Sequence, residues 1–152
     1  MAVKNAKAAA RRRAREVALQ ALYAWRLAGA VDANAAVAHA RTLEGWSRCD
    51  QAFAANLVSA VIDKVASLES VIAPCLDRSL ASLSPVERVI LLIGAYELAE
   101  QPATPFRVVL NEAVELGKSF GGTDGHKFVN GVLERLAQEL RAEEIARVRQ
   151  AV

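Results

Sequence analysis

Six cationic side chains are concentrated at the start of the chain, where their types and spacing suit contacts with a polyanion. They are Lys4, Lys7, Arg11, Arg12, Arg13 and Arg15, and no acidic residue occurs among residues 1–15. Because the net charge of the whole chain is only +2, the remaining residues carry a net charge of −4. A basic arm on a mildly acidic body is typical of polyanion-binding proteins. A solvated, disordered tail is the alternative interpretation.

The abundance of arginine in this arm favours nucleic acid as the polyanion. A planar guanidinium donates two parallel hydrogen bonds to a phosphate, whereas an ammonium group acts as a point charge. Such contacts supply affinity without sequence preference, so specific recognition needs a second surface. Single-stranded RNA is commonly read by stacking its bases on aromatic side chains and by hydrogen bonds to the base edges.

The segment from Phe120 to Phe128 is the candidate for that second surface. It reads Phe-Gly-Gly-Thr-Asp-Gly-His-Lys-Phe and combines two aromatic rings, a lysine and a predicted helix start. Backbone amides at a helix start can bind a phosphate. A plain turn between two helices explains the same residues equally well, and the residues alone do not decide between the two interpretations.

No catalytic or metal-binding set can be assembled from the sequence. The two histidines, His39 and His126, have no cysteine or acid three or four residues away, which is the spacing expected of metal ligands on a helix. Cys49 and Cys75 are far apart in sequence. We expect them to be reduced, packed thiols, although a disulfide between them stays open. We therefore predict a non-catalytic protein without a cofactor.

Hydrophobic periodicity and capping signals predict an all-α protein. Helices are predicted at about residues 8–28, 32–45, 49–67, 68–76, 85–100, 105–120 and 124–140. The strongest start signal is Ser84-Pro85-Val86-Glu87, with serine at the N-cap and proline at the first helical position. The helix that follows is apolar on nearly all sides, which predicts a central, buried position. These segments predict a compact bundle of six or seven helices.

Three regions are expected along the chain. They are a basic N-terminal arm at residues 1–10, a single helical domain at 11–142 and a frayed, charged tail at 143–152. The arm continues the first helix if that helix extends toward the N-terminus. Gly131 lies inside the last predicted helix, where glycine costs about 1 kcal/mol relative to alanine. We expect close packing against a neighbouring helix to explain it.

The hydropathy pattern argues against a membrane protein. The longest uninterrupted apolar run, from Val89 to Tyr96, is too short to span a bilayer. The basic start is not followed by the apolar stretch and cleavage site of a signal peptide. A cytoplasmic protein is therefore expected.

Three blocks of the sequence resemble the bacterial NusB family of transcription antitermination factors. The first block runs from Arg11 to Tyr23, the second from Val86 to Leu98 and the third from Pro105 to Leu133. The second block is similar to the family's central helix. The third contains the strings LNEA, KSFG and HKFVNGVL, of which HKFVNGVL is specific. The blocks occur in the family's order and cover nearly the whole chain, most weakly at residues 30–80 and after residue 140.

This resemblance implies two helical subdomains and binding of boxA RNA together with NusE, a ribosomal protein that doubles as a transcription factor. With other Nus factors, these help to assemble a complex on RNA polymerase that suppresses premature termination, notably in ribosomal RNA operons. Carried onto this chain, the arginine-rich arm contacts phosphates, and Phe120, Asp124, Lys127 and Phe128 border the RNA site. Tyr23 and Glu87 fall where the family meets NusE. Gly125 departs from the family, which usually has a small polar residue between the aspartate and the histidine.

Other functions stay open at the level of sequence. The first is a protein-interaction scaffold whose basic arm is incidental, and a helix-turn-helix DNA binder fits less well. The same helical module also occurs at the front of RNA cytosine methyltransferases. Those need a further Rossmann-type domain and a catalytic cysteine, and the length of this chain disfavours them. The family contains both monomers and dimers, so a homodimer also stays open.

Overall fold

A computed structural model describes residues 2–29 and 32–151, which form eight α-helices and no β-strand. The helices are α1 (Ala2–Ala28), α2 (Ala33–Ala40), α3 (Gln51–Asp63), α4 (Val65–Ile72), α5 (Pro85–Glu100), α6 (Phe106–Phe120), α7 (Gly125–Leu140) and α8 (Ala142–Gln150). Short 3₁₀ helices lie at Glu44–Arg48, Ala73–Cys75 and Leu80–Ser82. The predicted all-α fold is confirmed, although the prediction of six or seven helices was too low.

Helix α1 begins near the start of the chain, at Ala2, rather than at residue 8. Its first half is rich in alanine and contains neither glycine nor proline, so helix propensity is high throughout. The basic residues therefore lie on a continuous extension of a packed helix. The boundary predicted between an arm and a domain, at residues 10 and 11, falls inside α1 and stays a prediction.

The helix predicted over residues 49–67 is interrupted, so α3 ends and α4 begins earlier than predicted, whereas the eighth helix of the described residues is α8 at the end of the chain. Lys64 leaves the helical conformation, with φ −109° and ψ 13°, and separates α3 from α4. The region predicted as a short helix at residues 68–76 is the second half of α4 followed by the 3₁₀ helix Ala73–Cys75. Because Lys64 is an ordinary helix former, no breaking residue signals this interruption.

The charged end of the chain is helical, so the prediction of a frayed tail was wrong for residues up to 150. Helix α8 carries Glu143 and Glu144 in its first turn and Arg147 and Arg149 in its last turn. Acidic residues at the positive N-terminal end of the helix macrodipole and basic residues at its negative C-terminal end stabilise both ends of the helix. Glu144 also forms an ion pair with Arg141, at 2.6 Å, which fixes the first turn of α8.

The chain divides into two compact units, Met1–Val65 and Ala66–Val152, in agreement with the two subdomains that the resemblance implies. In the first unit, α1 packs against α2 and α3 through a stripe of buried small and aliphatic side chains. In the second unit, α5 is the core, because its residues from Val89 to Leu98 are buried without interruption. The predicted central position of this helix is confirmed. Across residues 2–29 and 32–151, no helix is both long and apolar enough to cross a membrane.

Two glycines allow the helices of the second unit to approach each other closely. A Cβ atom at Gly94 of α5 would lie 2.6 Å from a methyl group of Leu133 on α7. A Cβ atom at Gly117 of α6 would lie 2.8 Å from the Cα of His126 on α7. Because the second clash is with backbone, any larger residue at position 117 must push α6 and α7 apart.

Gly131 does not have such a role, and the expectation that it permits close helix packing was wrong. The nearest atom to a Cβ at this position would be a guanidinium nitrogen of Arg135, at 3.8 Å. We therefore predict that Gly131→Ala stabilises the protein by about 0.5–1 kcal/mol, since only the unfavourable backbone entropy of glycine is removed. Thermal unfolding should show a midpoint raised by roughly 2–4 °C.

The matched control for this substitution is Gly117→Ala, which places the same methyl group against the backbone of His126. It should lower the unfolding midpoint. A midpoint that falls for Gly131→Ala would show that position 131 has a packing constraint that the described neighbours do not reveal.

Candidate nucleic-acid interface

The six cations of the N-terminal arm share one helix but not one environment. Lys4, Lys7, Arg12 and Arg13 are exposed, Arg11 is half-buried and Arg15 is buried. We call Lys4, Lys7, Arg12 and Arg13 the exposed arm cations. Because a helical backbone fixes the spacing between them, these side chains reach solvent from a rigid support rather than from a flexible tail.

Arg11 and Arg15 lie against the start of α3, where Arg15 is buried and the Arg11 side chain stays 35% exposed. Their guanidinium carbons lie 4.8 Å and 5.1 Å from the centre of the Phe53 ring, within the range of cation–π attraction. Arg15 retains only 3% of its accessible surface. The phosphate contact predicted for Arg15 does not fit this burial, and we correct it to a structural role at the junction of α1 and α3.

Asp50 holds the start of α3 against α1 through both its backbone and its side chain. Its amide donates to the carbonyl oxygen of Ala10 at 3.0 Å, and its carboxylate caps α3 by accepting from the Phe53 amide at 3.1 Å. The other carboxylate oxygen lies 3.6 Å from Arg11 Nε. Helix α1 is therefore anchored at Ala10 and Arg11, one turn before Arg15. Among the exposed arm cations, two precede this anchor and two follow it.

The second candidate surface is the tight corner between α6 and α7, which we call the Phe120–Phe128 corner. Helix α6 ends at Phe120 and α7 begins at Gly125. The amide of Gly121 closes α6 by donating to the carbonyl oxygen of Gly117 at 2.9 Å. Gly117 also contacts the backbone of His126, so the two helices meet directly behind the loop and hold its side chains in place.

The backbone amides at the start of α7 are largely occupied, which argues against a phosphate bound by these amides. The amide of Gly125 donates to the carbonyl oxygen of Gly122, and those of Lys127 and Phe128 donate to that of Asp124. The nitrogen of His126 lies beside Gly117 of α6. Any phosphate at this corner must be bound mainly by side chains.

Three of the predicted RNA-site side chains at the corner are accessible to solvent. The Phe120 ring is 37% exposed, which is unusual for a large apolar side chain. The carboxylate of Asp124 lies 3.4 Å from the ammonium group of Lys127, and both side chains are about three-quarters exposed. An ion pair this exposed contributes little stability, so either group is free to change partner when a ligand binds.

Phe128 differs from these three because it is half-buried and covered by a residue that the sequence analysis missed. The guanidinium carbon of Arg78 lies 4.6 Å from the centre of the Phe128 ring. Arg78 comes from the loop between the 3₁₀ helices Ala73–Cys75 and Leu80–Ser82. No spacing rule connects these two positions, because the contact depends on how the loop packs against α7.

The two residues expected at a protein partner, Tyr23 and Glu87, occupy different units of the chain. Tyr23 is 37% exposed on α1. Glu87 is half-buried at the start of α5, where its amide and its carboxylate both bond the hydroxyl of Ser84, confirming the predicted capping signal. A Cβ at Gly125 would lie 3.1 Å from the Glu87 carboxylate, so glycine at this position leaves room for that carboxylate.

The cysteines show no sign of a reactive or metal-binding role. Both are free thiols, Cys49 half-buried and Cys75 buried. Burial, and next the carboxylate of Glu139, raise the pKa of Cys75, while burial and then Asp50 raise the pKa of Cys49. Raised pKa values favour the unreactive protonated form. Within the described part of the chain, no three His, Cys, Asp or Glu residues are grouped to hold a metal ion.

The fold and these surfaces define a class: an all-α protein of two helical units, with exposed cations on its first helix and an exposed aromatic corner in its second unit. Residues 12–138 match the model of the NusB family. The chain belongs to the NusB family.

Individual relatives cover most of the chain. It is 52% identical over 138 residues to the transcription antitermination protein NusB of Thiobacillus denitrificans, covering 91% of this chain and 94% of that protein. It is 46% identical over 149 residues to the protein of the same name from Dechloromonas aromatica, covering 98% and 91%. The solved structure of T. maritima NusB superposes with a TM-score of 0.76 at 28% identity, covering 84% of this chain and 90% of that one.

Proposed function

We propose that this chain is a transcription antitermination factor that binds boxA-type single-stranded RNA together with NusE and helps to assemble an antitermination complex on RNA polymerase. The observation that carries the antitermination role is the identity of about half of the residues, over about nine-tenths of both chains, to a relative named as a transcription antitermination protein. RNA binding, boxA preference and the NusE partnership follow from the resemblance and from the surfaces described above.

The exposed arm cations support RNA binding because they combine charge with a fixed backbone. Four cations on one helix provide affinity for phosphates while losing little backbone entropy on binding. Arg11 and Arg15 lie over Phe53, and Arg11, whose side chain is 35% exposed, stays a proposed phosphate contact as well. Of the six cations, Arg15 therefore has a structural role, Arg11 is proposed to combine both roles, and the four exposed arm cations are proposed to bind RNA.

The Phe120–Phe128 corner supports recognition of RNA bases because it presents an aromatic ring, a carboxylate and an ammonium group, and the ion pair between the last two is weak. Phe120 offers a stacking surface, the Asp124 carboxylate can accept from base amino groups, and Lys127 can bind a phosphate. These roles assign sequence preference to the second unit and general affinity to the first.

NusE binding is proposed at Tyr23 and Glu87, and the other Nus factors and RNA polymerase are proposed as indirect partners. A tyrosine with an exposed ring and an exposed neighbour, Leu27, on the next turn of α1 is a suitable contact for a protein surface. The competing proposal, a scaffold that binds only proteins, predicts the same surface around Tyr23 but no role for the exposed arm cations.

Titration of fluorescently labelled RNA, followed by anisotropy, separates these proposals. The full-length chain should bind a boxA-type RNA more tightly than a scrambled RNA of the same length and composition, and addition of NusE should increase that preference. Binding of neither RNA, with or without NusE, would rule out the RNA-binding factor and favour the scaffold. Sedimentation of the free and RNA-bound protein in the same buffer would show whether a homodimer must dissociate first.

A further inference from the structure

We infer that Arg78 is a further RNA-binding residue, whose guanidinium, held over the Phe128 ring, provides the platform on which a base of single-stranded RNA stacks. This inference rests on the proposed function, because it extends the RNA site of the Phe120–Phe128 corner. It assigns a role to a residue that neither the sequence pattern nor the family resemblance pointed to.

The geometry places the Arg78 guanidinium where a base would otherwise stack on Phe128. Its carbon lies 4.6 Å above the ring centre, so it covers one face of the ring. The Arg78 side chain is nevertheless 53% exposed, so part of it remains accessible to a ligand. RNA bases stack on arginine planes as well as on aromatic rings. A base that approaches this side of Phe128 would therefore stack on the guanidinium of Arg78.

One exposed ion pair orients the Arg78 side chain weakly, and one partly buried hydrogen bond holds the segment that precedes it. The carboxylate of Asp77 accepts a hydrogen bond from Arg78 Nε at 3.0 Å, and this bond and the charge of Arg78 lower the pKa of Asp77. The carbonyl oxygen of Cys75 accepts from Arg135 Nε at 2.9 Å. Since Arg135 and Phe128 both belong to α7, the loop that carries Arg78 is fastened to the helix that carries the ring.

The charge and the planarity of a guanidinium contribute separately to RNA binding. A stacking platform needs both, whereas a simple basic patch needs only the charge. The guanidinium edge can donate to a phosphate or to a base, and its face can stack. A lysine at position 78 would keep the charge but lose the stacking plane. Arg107 provides a matched comparison, because it is also exposed and lies over a ring, that of Phe106 at 5.7 Å, outside the corner.

The test measures anisotropy of boxA-type RNA with the wild-type chain and with Arg78→Gln, Arg78→Lys and Arg107→Gln. We expect Arg78→Gln and Arg78→Lys each to weaken binding by about 5- to 150-fold, the range for loss of one stacked base, and Arg107→Gln by less than about 2-fold. The salt slope should stay unchanged for Arg78→Lys and fall by about one unit or less for Arg78→Gln. Fluorescence of a 2-aminopurine base in the RNA should be quenched by the wild-type chain and less by Arg78→Lys.

The outcomes separate failure of this inference from failure of the proposed function. If the wild-type chain binds the RNA and Arg78→Lys binds equally well, with full quenching, Arg78 is not a stacking platform. A loss for Arg107→Gln equal to that for Arg78→Gln would reduce both residues to general charge and overturn the inference. If the wild-type chain itself binds no RNA, the proposed function fails and this inference fails with it. Thermal midpoints of Arg78→Lys and the wild-type chain should agree within roughly 2 °C.

Discussion

Replacement of the four exposed arm cations by glutamine is expected to weaken RNA binding more than any other change that leaves the fold intact. The variant combines Lys4→Gln, Lys7→Gln, Arg12→Gln and Arg13→Gln. Each phosphate contact to single-stranded RNA contributes about 0.7 to the slope of log affinity against log salt. If all four cations contact phosphates, the slope falls by about 3 and affinity near 0.15 M salt falls by roughly 100-fold.

The control must remove the same charge from elsewhere on the molecule. Arg41, Arg48, Arg147 and Arg149 are exposed and lie outside both candidate surfaces, so their replacement by glutamine lowers the net charge equally. This control should lose only a fewfold in affinity through general electrostatics. Equal losses in the two variants would show that the arm acts only through net charge and has no defined contact with RNA.

The same pair of variants tests how affinity and sequence preference are divided. If the exposed arm cations contact phosphates, as proposed, their loss should weaken binding of boxA-type and scrambled RNA by the same factor. Phe120→Ala should instead reduce the preference for boxA-type RNA and leave the salt slope unchanged. A change in preference on removal of the arm cations would place part of the base recognition on α1.

Local signals were sufficient to predict most helices. Ser84 and Pro85 predicted the start of α5, and its continuous apolar run predicted its buried position, because capping and hydrophobic burial both depend on residues close in sequence. The start of α7 was also predicted to within a residue. The interruption at Lys64 was not, since neither glycine nor proline marks it.

The parts of the site that depend on contacts distant in sequence could not be predicted. Arg15 belongs to a cationic stripe by spacing, yet Phe53 on α3 draws it into the interior. Arg78 had no distinguishing neighbour in the sequence, yet it covers Phe128. In both cases an arginine lies over an aromatic ring of a different element, and that pairing is a property of the packed helices.

The end of the chain is a second case in which contacts distant in sequence determine the structure, here by stabilising a helix that was predicted as a tail. Residues from 143 onward are highly charged and predicted a frayed tail, but they belong to α8, which is bound to the rest of its unit by polar contacts rather than by a buried apolar stripe. Hydrophobic periodicity does not detect that mode of attachment. The residue at the centre of these polar contacts is Arg141, which immediately precedes α8 and is only 7% exposed.

Arg141→Ala is expected to cause the largest loss of stability available from a single polar substitution in the second unit. The guanidinium donates to the carbonyl oxygens of Glu97, Leu98, Gln101 and Thr104 at 2.7–3.1 Å and to Glu144 at 2.6 Å. These carbonyls belong to the last turn of α5 and the loop that follows, where a helix end lacks partners of its own. Removal of the donor leaves buried carbonyls and a carboxylate without it, at a cost of about 3–5 kcal/mol.

The loss of stability in Arg141→Ala should extend to α6, because Glu144 links Arg141, at the end of α5, to the start of α6. Its second carboxylate oxygen accepts from the amide of Phe106, the first residue of α6, at 2.7 Å. Without Arg141 the carboxylate loses its cation and holds that amide less firmly. Hydrogen exchange should therefore show faster exchange at the start of α6 in Arg141→Ala, in addition to a lower free energy of unfolding in urea.

Arg141→Lys and Arg147→Ala distinguish the geometry of Arg141 from its charge. Lysine keeps the positive charge but cannot reach four carbonyls at once as the guanidinium fork does, so it should recover less than half of the lost stability. Arg147→Ala, an exposed change on α8, should alter stability by less than about 0.5 kcal/mol. Full stability in Arg141→Lys would mean that a charge near the end of α5 is sufficient and that the hydrogen bonds to its carbonyls contribute nothing further.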